Sequence, residues 1–110
     1  MNEPLLCVTA TGPTMEDLRR NRDAASSADL VELRLDLVDR PDVAGALEGR
    51  RTPVIVTCRA HWEGGRFSGS EEERRRILDS AIAQGAEYVD VEAAARFAED
   101  VIASRGGRGV

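Results

Sequence analysis

Short apolar runs alternate with longer mixed stretches, and the alternation repeats four times along the chain. Residues 5–8 form a short apolar run that predicts a buried strand. Thr14 follows as an N-cap with Asp17 three positions on, opening a polar, arginine-rich helix that ends near Ser27. Residues 30–37 predict the second strand. Pro41-Asp42 then opens a helix with Val43, Ala46 and Leu47 on its apolar side, running to Gly49, and residues 53–58 predict the third strand. After a glycine-rich loop over residues 59–69, Ser70 caps a third helix, Glu73 completes a capping box and Gly85 supplies the stop. Residues 86–92 predict a fourth strand and residues 93–104 a fourth helix.

Four successive βα units imply an α/β protein with a parallel sheet, because each parallel strand needs a crossover to return the chain. Two architectures fit: an open doubly wound sheet, or part of a (β/α)8 barrel. A whole barrel takes roughly 250 residues, so these 110 residues would form a single partial domain, residues 1–110, equal to about half of one.

Composition narrows the chemistry. All fifteen basic residues are arginine. A GC-rich coding sequence accounts for that habit, yet it leaves no side-chain amine for an imine, and only the α-amino group of Met1 could substitute. The net charge of −5 argues against nucleic acid or an anionic membrane as partner. There is no basic region before Pro4 and no apolar run near the roughly 20 residues of a membrane span, so a cytoplasmic protein is expected. Cys7 and Cys58 lie in apolar runs without CxxC or metal-type spacing and are expected as buried free thiols, with no structural metal. With strands in sequence order they would sit about 10 Å apart, beyond disulfide reach.

The second strand is unusual for a parallel sheet. Val31, Leu33 and Leu35 alternate with Glu32, Arg34 and Asp36, so the charged side chains share one face. A Glu32–Arg34 ion pair or a water-facing edge strand would explain them, as would a polar pocket at the C-terminal end of the sheet. The third strand runs into Arg59, His61 and Glu63, and the fourth places Tyr88, Asp90 and Glu92 opposite Val89 and Val91. Arginine forks and carboxylates converging on one cavity suit a small polyhydroxylated acid. The bland readings are an exposed loop for His61 beside Trp62, a mobile loop for Gly64-Gly65, and a solvated helix face for Glu71-Glu72-Glu73 with Arg74-Arg75-Arg76.

Three segments together resemble the type I 3-dehydroquinate dehydratases. Residues 29–36 (Asp-Leu-Val-Glu-Leu-Arg-Leu-Asp) are similar to that family's second-strand signature. Residues 53–59 with Glu63-Gly64-Gly65 are similar to its third-strand motif, and residues 87–92 to its fourth-strand tyrosine, aspartate and glutamate run. The resemblance implies a (β/α)8 barrel that converts 3-dehydroquinate to 3-dehydroshikimate through a lysine Schiff base, with a histidine as acid and base, and with neither metal nor cofactor. It further implies that Glu32 and Arg34 hold substrate hydroxyls and that Arg59 contacts the substrate. Thr9 would lie near the substrate, and Glu63 would orient the catalytic histidine. The family's histidine follows strand five and its lysine ends strand six, beyond Val110, and His61 does not match that histidine. The expected object is therefore the substrate-binding N-terminal half of the enzyme, inactive alone. The alternatives are a non-catalytic half-barrel that self-associates, one part of a split enzyme completed by a C-terminal half, or a different β/α enzyme using Glu32, Arg34, Asp90 and Glu92.

Overall fold

The computed structural model describes residues 6–61 and 64–90. Along the chain run β1 (Cys7–Ala10), α1 (Met15–Ala24), β2 (Leu30–Arg34), α2 (Val43–Leu47), β3 (Val54–Thr57), α3 (Glu71–Ala83) and β4 (Tyr88–Asp90). The expected fourth helix lies outside the described residues, as do Val91 and Glu92.

All pairings are parallel and the sheet order is β1-β2-β3-β4, so each strand lies beside its successor in sequence. Register aligns Thr9 with Glu32, Glu32 with Ile55, and Ile55 with Tyr88, while Arg34 aligns with Thr57 and Thr57 with Asp90. Successive side chains point to opposite faces, so this register sorts the sheet into two unlike surfaces. Val31, Leu33, Leu35, Val54, Val56, Cys58 and Val89 are buried on one, where Leu18, Ala46, Leu47, Leu78 and Ala81 of the helices join them in a single core. The other surface, carrying Thr9, Glu32, Arg34, Thr57 and Asp90, has no helix of the described residues upon it. Strands in sequence order with helices on one face are barrel geometry; a doubly wound sheet reverses its order and carries helices on both faces.

Local chemistry sets the helix ends. The Asp17 amide donates to Thr14 Oγ1 at 3.1 Å, which caps α1 as expected. In α3 the Glu73 amide donates to Ser70 Oγ at 3.1 Å and the Ser70 amide donates back to the Glu73 carboxylate at 3.4 Å, which completes the capping box. Gly85, with φ of +90°, adopts the left-handed conformation that turns the chain into β4.

Four expectations need correction. β1 falls two residues later than the apolar run, because pairing with β2 brings Thr9 and Ala10 into the ladder. Helix α1 stops at Ala24, three residues short of Ser27. Cys7 is exposed rather than buried, since it sits on the uncovered face of an outer strand, whereas Cys58 is buried under the helices. Both thiols are free. Finally, the charge run on α3 is not wholly solvated. Arg75 pairs with Asp79 at the surface, but Arg74 is fully buried and its Nη1 donates to the Cys58 carbonyl oxygen at 2.9 Å.

Candidate active site on the open face of the sheet

Glu32 stands in the middle of the open face because β2 is an interior strand flanked by β1 and β3. Its two carboxylate oxygens accept from different neighbours: Thr9 Oγ1 donates to Oε1 at 2.9 Å and Thr57 Oγ1 donates to Oε2 at 3.0 Å. The carboxylate is thus held upright by hydroxyls on both flanking strands, and each oxygen retains lone-pair capacity toward the open side. Thr57 is buried and was not singled out in the sequence, although its position two residues after Ile55 places it on this face.

Arg34 lies one row further toward the C-terminal end of the strands. Neither of the bland explanations for its charge holds, since β2 is not an edge strand and Arg34 does not pair with Glu32. Its Nε donates to Asp36 Oδ1 at 3.2 Å and its Nη2 to Asp36 Oδ2 at 2.6 Å, a two-pronged contact. Hydrogen bonding to Asp36 raises the arginine's pKa further above its ordinary value. The Asp36 side chain is 0% exposed. Burial alone would raise its pKa. The Arg34 fork and the amides of Arg66 and Arg59 outweigh that penalty and hold the carboxyl below its usual value.

Those amides belong to the segment that follows β3. Arg59 is exposed at its start, and its backbone donates to Asp36. Further on, the Arg66 amide donates to Asp36 Oδ2 at 3.1 Å. The loop folds back tightly between these points: the Gly65 amide donates to the Ala60 carbonyl oxygen at 2.9 Å, and a Cβ on Gly65 would collide with the Arg59 carbonyl. Close approach of backbone to backbone is therefore the reason for glycine at position 65. His61 is exposed, while Trp62 and Glu63 lie outside the described residues. At the other end of the face, Glu32, Ile55, Tyr88 and Asp90 line an open cleft of about 360 Å³.

The structure thus gathers Thr9, Glu32 and Arg34 into adjacent positions on one face and ties the backbone of Arg59 to them through Asp36. Among the described residues there is no cluster of three or more histidine, cysteine, aspartate or glutamate side chains suited to a metal, and no helix long and apolar enough to cross a membrane.

Parallel strands in sequence order, helices on one side and a polar inner face define a protein of the (β/α)-barrel class with acceptors and donors set on its inner sheet surface. Comparison with known proteins narrows that class. The sequence pattern of the family described as type I 3-dehydroquinase matches residues 6–110, and the chain belongs to that family. A 3-dehydroquinate dehydratase of Desulfotalea psychrophila is 38% identical over 92 residues, covering 84% of this chain and 41% of the relative. One from Dehalococcoides mccartyi is 42% identical over 93 residues, covering 83% and 39%. The chain thus spans about two-fifths of the length of these relatives. A crystal structure of a type I 3-dehydroquinate dehydratase from Clostridium difficile, with covalently modified comenic acid, superposes with a TM-score of 0.79 at 20% identity. It covers 96% of this chain and 46% of that one, and it shares the fold.

Proposed function

We propose that the open face is the N-terminal substrate-binding half of a type I 3-dehydroquinate dehydratase, which converts 3-dehydroquinate to 3-dehydroshikimate and water. The observation that carries this reading is the fixed pairing of unlike groups. Glu32 presents a carboxylate held by Thr9 and Thr57, and Arg34 beside it presents a guanidinium held by Asp36. A polyhydroxylated ring needs acceptors and donors side by side, each already positioned, so that binding does not have to order them. Glu32 and Arg34 take substrate hydroxyls, Arg59 contacts the substrate from the adjoining loop, and Thr9 lines the site while steadying Glu32. Glu63 orients the family's catalytic histidine.

In the family the chemistry runs through a lysine Schiff base, and the 110-residue chain contains no lysine. On this reading it binds substrate, in the cytoplasm, without turning it over. Titration of 3-dehydroquinate followed by NMR is expected to move the signals of Thr9, Glu32, Arg34 and Arg59 to saturation. The Glu32→Ala variant should weaken binding at least tenfold while the chain stays folded. Shifts confined to another surface would sink the assignment. Reduction with borohydride in the presence of 3-dehydroquinate should leave the mass unchanged, and a stable adduct on an internal residue would overturn the claim of inactivity.

A second reading, one half of a two-chain enzyme, draws support from the polar face and from the outer position of β1 and β4 among the described residues. Added to a separately produced segment spanning strand five to the C-terminus of a relative, the chain should then restore turnover. Background turnover from two folded halves would exclude it.

A further inference from the structure

We propose that Asp36 is the positioning residue of this site: its buried carboxylate both aims the Arg34 guanidinium and anchors the loop that carries Arg59. The inference rests on the reading of the open face as a 3-dehydroquinate site.

Arg34 has three directions in which to donate, and Asp36 occupies one of them. The Nε and Nη2 prongs are taken at 3.2 and 2.6 Å, which fixes the plane of the guanidinium, and among the described residues no other group takes Nη1. The Nη1 edge is therefore the part left for a ligand. The same Asp36 oxygen that holds Nη2 also accepts the Arg66 amide at 3.1 Å, and the Arg59 amide donates to the carboxylate as well. One side chain from the end of β2 thus sets an arginine on its own strand and both ends of the turn after β3. Its 0% exposure means that water cannot substitute for any of these donors.

The alternative partner for Arg34 is close at hand. Glu32 stands two residues away on the same face, near enough that its charge contributes to raising the Arg34 pKa. While Asp36 holds the fork, the partners of Glu32 among the described residues are Thr9 and Thr57, and the site keeps a separate acceptor and donor. Remove the Asp36 charge and Arg34 is drawn to Glu32. Acceptor and donor then satisfy each other, and both are lost to a ligand. Asp36 acts by keeping them apart.

The test uses the full 110-residue chain, its Asp36→Asn and Arg34→Ala variants, and the double variant. In the wild-type spectrum the Arg34 Nε–H signal should be protected from solvent exchange and close in space to Asp36. Fast exchange there would overturn the proposal without recourse to any variant. Asp36→Asn should shift the Arg34 Nε–H and Arg66 amide signals together and weaken 3-dehydroquinate binding about tenfold or more. In the Arg34→Ala background the same change should cost clearly less than in the wild-type background, because only the loop carrying Arg59 is then left for Asp36 to position. Equal losses in both backgrounds, or unmoved Arg34 and Arg66 signals in Asp36→Asn, would refute it. Should the wild-type chain fail to bind 3-dehydroquinate, the substrate reading falls, and the spectral comparison still decides whether Asp36 holds Arg34.

Discussion

A carboxylate removed from water keeps its charge only where donors converge on it, and the pH behaviour of the chain should register this at Asp36. Its pKa in the folded state lies below the unfolded value, against the opposing effect of burial. The sign follows from linkage. Stabilisation by Asp36 is complete above the unfolded pKa, about 4, and is lost as pH falls through the lower folded value, where the folded state must bind a proton. Urea denaturation should therefore show the stability gap between wild type and Asp36→Asn at its widest near neutrality and closing below about pH 4. A gap independent of pH would mean that charge is not what Asp36 contributes. Glu87 carries the same argument, with Arg50 Nη2 at 2.8 Å and the Val54 amide at 2.9 Å depressing its pKa against burial.

At this scale the sequence was partly legible. Alternation alone put Glu32 and Arg34 on one face, and the family resemblance attached roles to them. Asp36 was visible as a third charge in the same series, but its partner was not, because a two-residue spacing allows Arg34 to pair forward with Asp36 or back with Glu32. Only the turn after β3, whose amides fall on Asp36, breaks the tie. Thr57 went unremarked for a related reason: a threonine in a β-branched run reads as strand propensity until the register places it beside a carboxylate.

Among the elements, α3 shows how far local rules reach. Its capping box was readable from Ser70 and Glu73, and Ser70→Ala should destabilise the chain by about 1 kcal/mol, measurable as a lowered midpoint in thermal or urea unfolding. Arg74 was not readable, because a run of three arginines gives no sign that its first member turns inward. That side chain is fully buried, held by Glu71 at 3.0 Å, and donates to the Cys58 carbonyl at the end of β3. Arg74→Met keeps the aliphatic volume but removes the buried hydrogen bond to the Cys58 carbonyl, at a cost on the order of 1–3 kcal/mol. Arg75→Met, by contrast, acts on a half-exposed side chain that pairs with Asp79 at the surface, and should change stability by less than about 0.5 kcal/mol. Equal effects from the two would show that the buried contact is energetically idle. Arg22 plays a comparable part, donating from α1 to the Ala46 and Glu48 carbonyls at the end of α2, both at 2.8 Å. Here the strand boundaries blurred for a physical reason too. On β1 the apolar run and the ladder are offset by two residues, and burial follows the ladder: Ala10 is buried whereas Leu6 and Cys7 are exposed.

For the sheet as a whole, β1 and β4, its outer strands among the described residues, pose the main physical problem. Outer strands offer backbone groups to further strands, and the open face carries Tyr88 at 45% exposure beside the cleft. Sedimentation over a range of concentrations is accordingly expected to show self-association of the isolated chain, reduced by Tyr88→Lys on β4. A monomer at all concentrations would argue that the polar groups of the open face suffice to keep it soluble. The alternation of strands and helices was legible in advance because each βα unit had its own signals. The choice against a doubly wound sheet was not, since strand order is a long-range property that no local motif encodes.

That order also bears on how the chain acquires its shape. Among the described residues each strand pairs with the strands before and after it in sequence, so within this sheet no pairing waits for a distant segment to be made. Contacts of short sequence separation close at low entropic cost and form early. As the polypeptide leaves the ribosome, β2 can dock on β1 once α1 has emerged, and each later unit finds a finished template. The carboxylate at position 32 would then acquire its two hydroxyl partners one after the other, Thr9 first and Thr57 second, so that the site is assembled in the order in which it is translated.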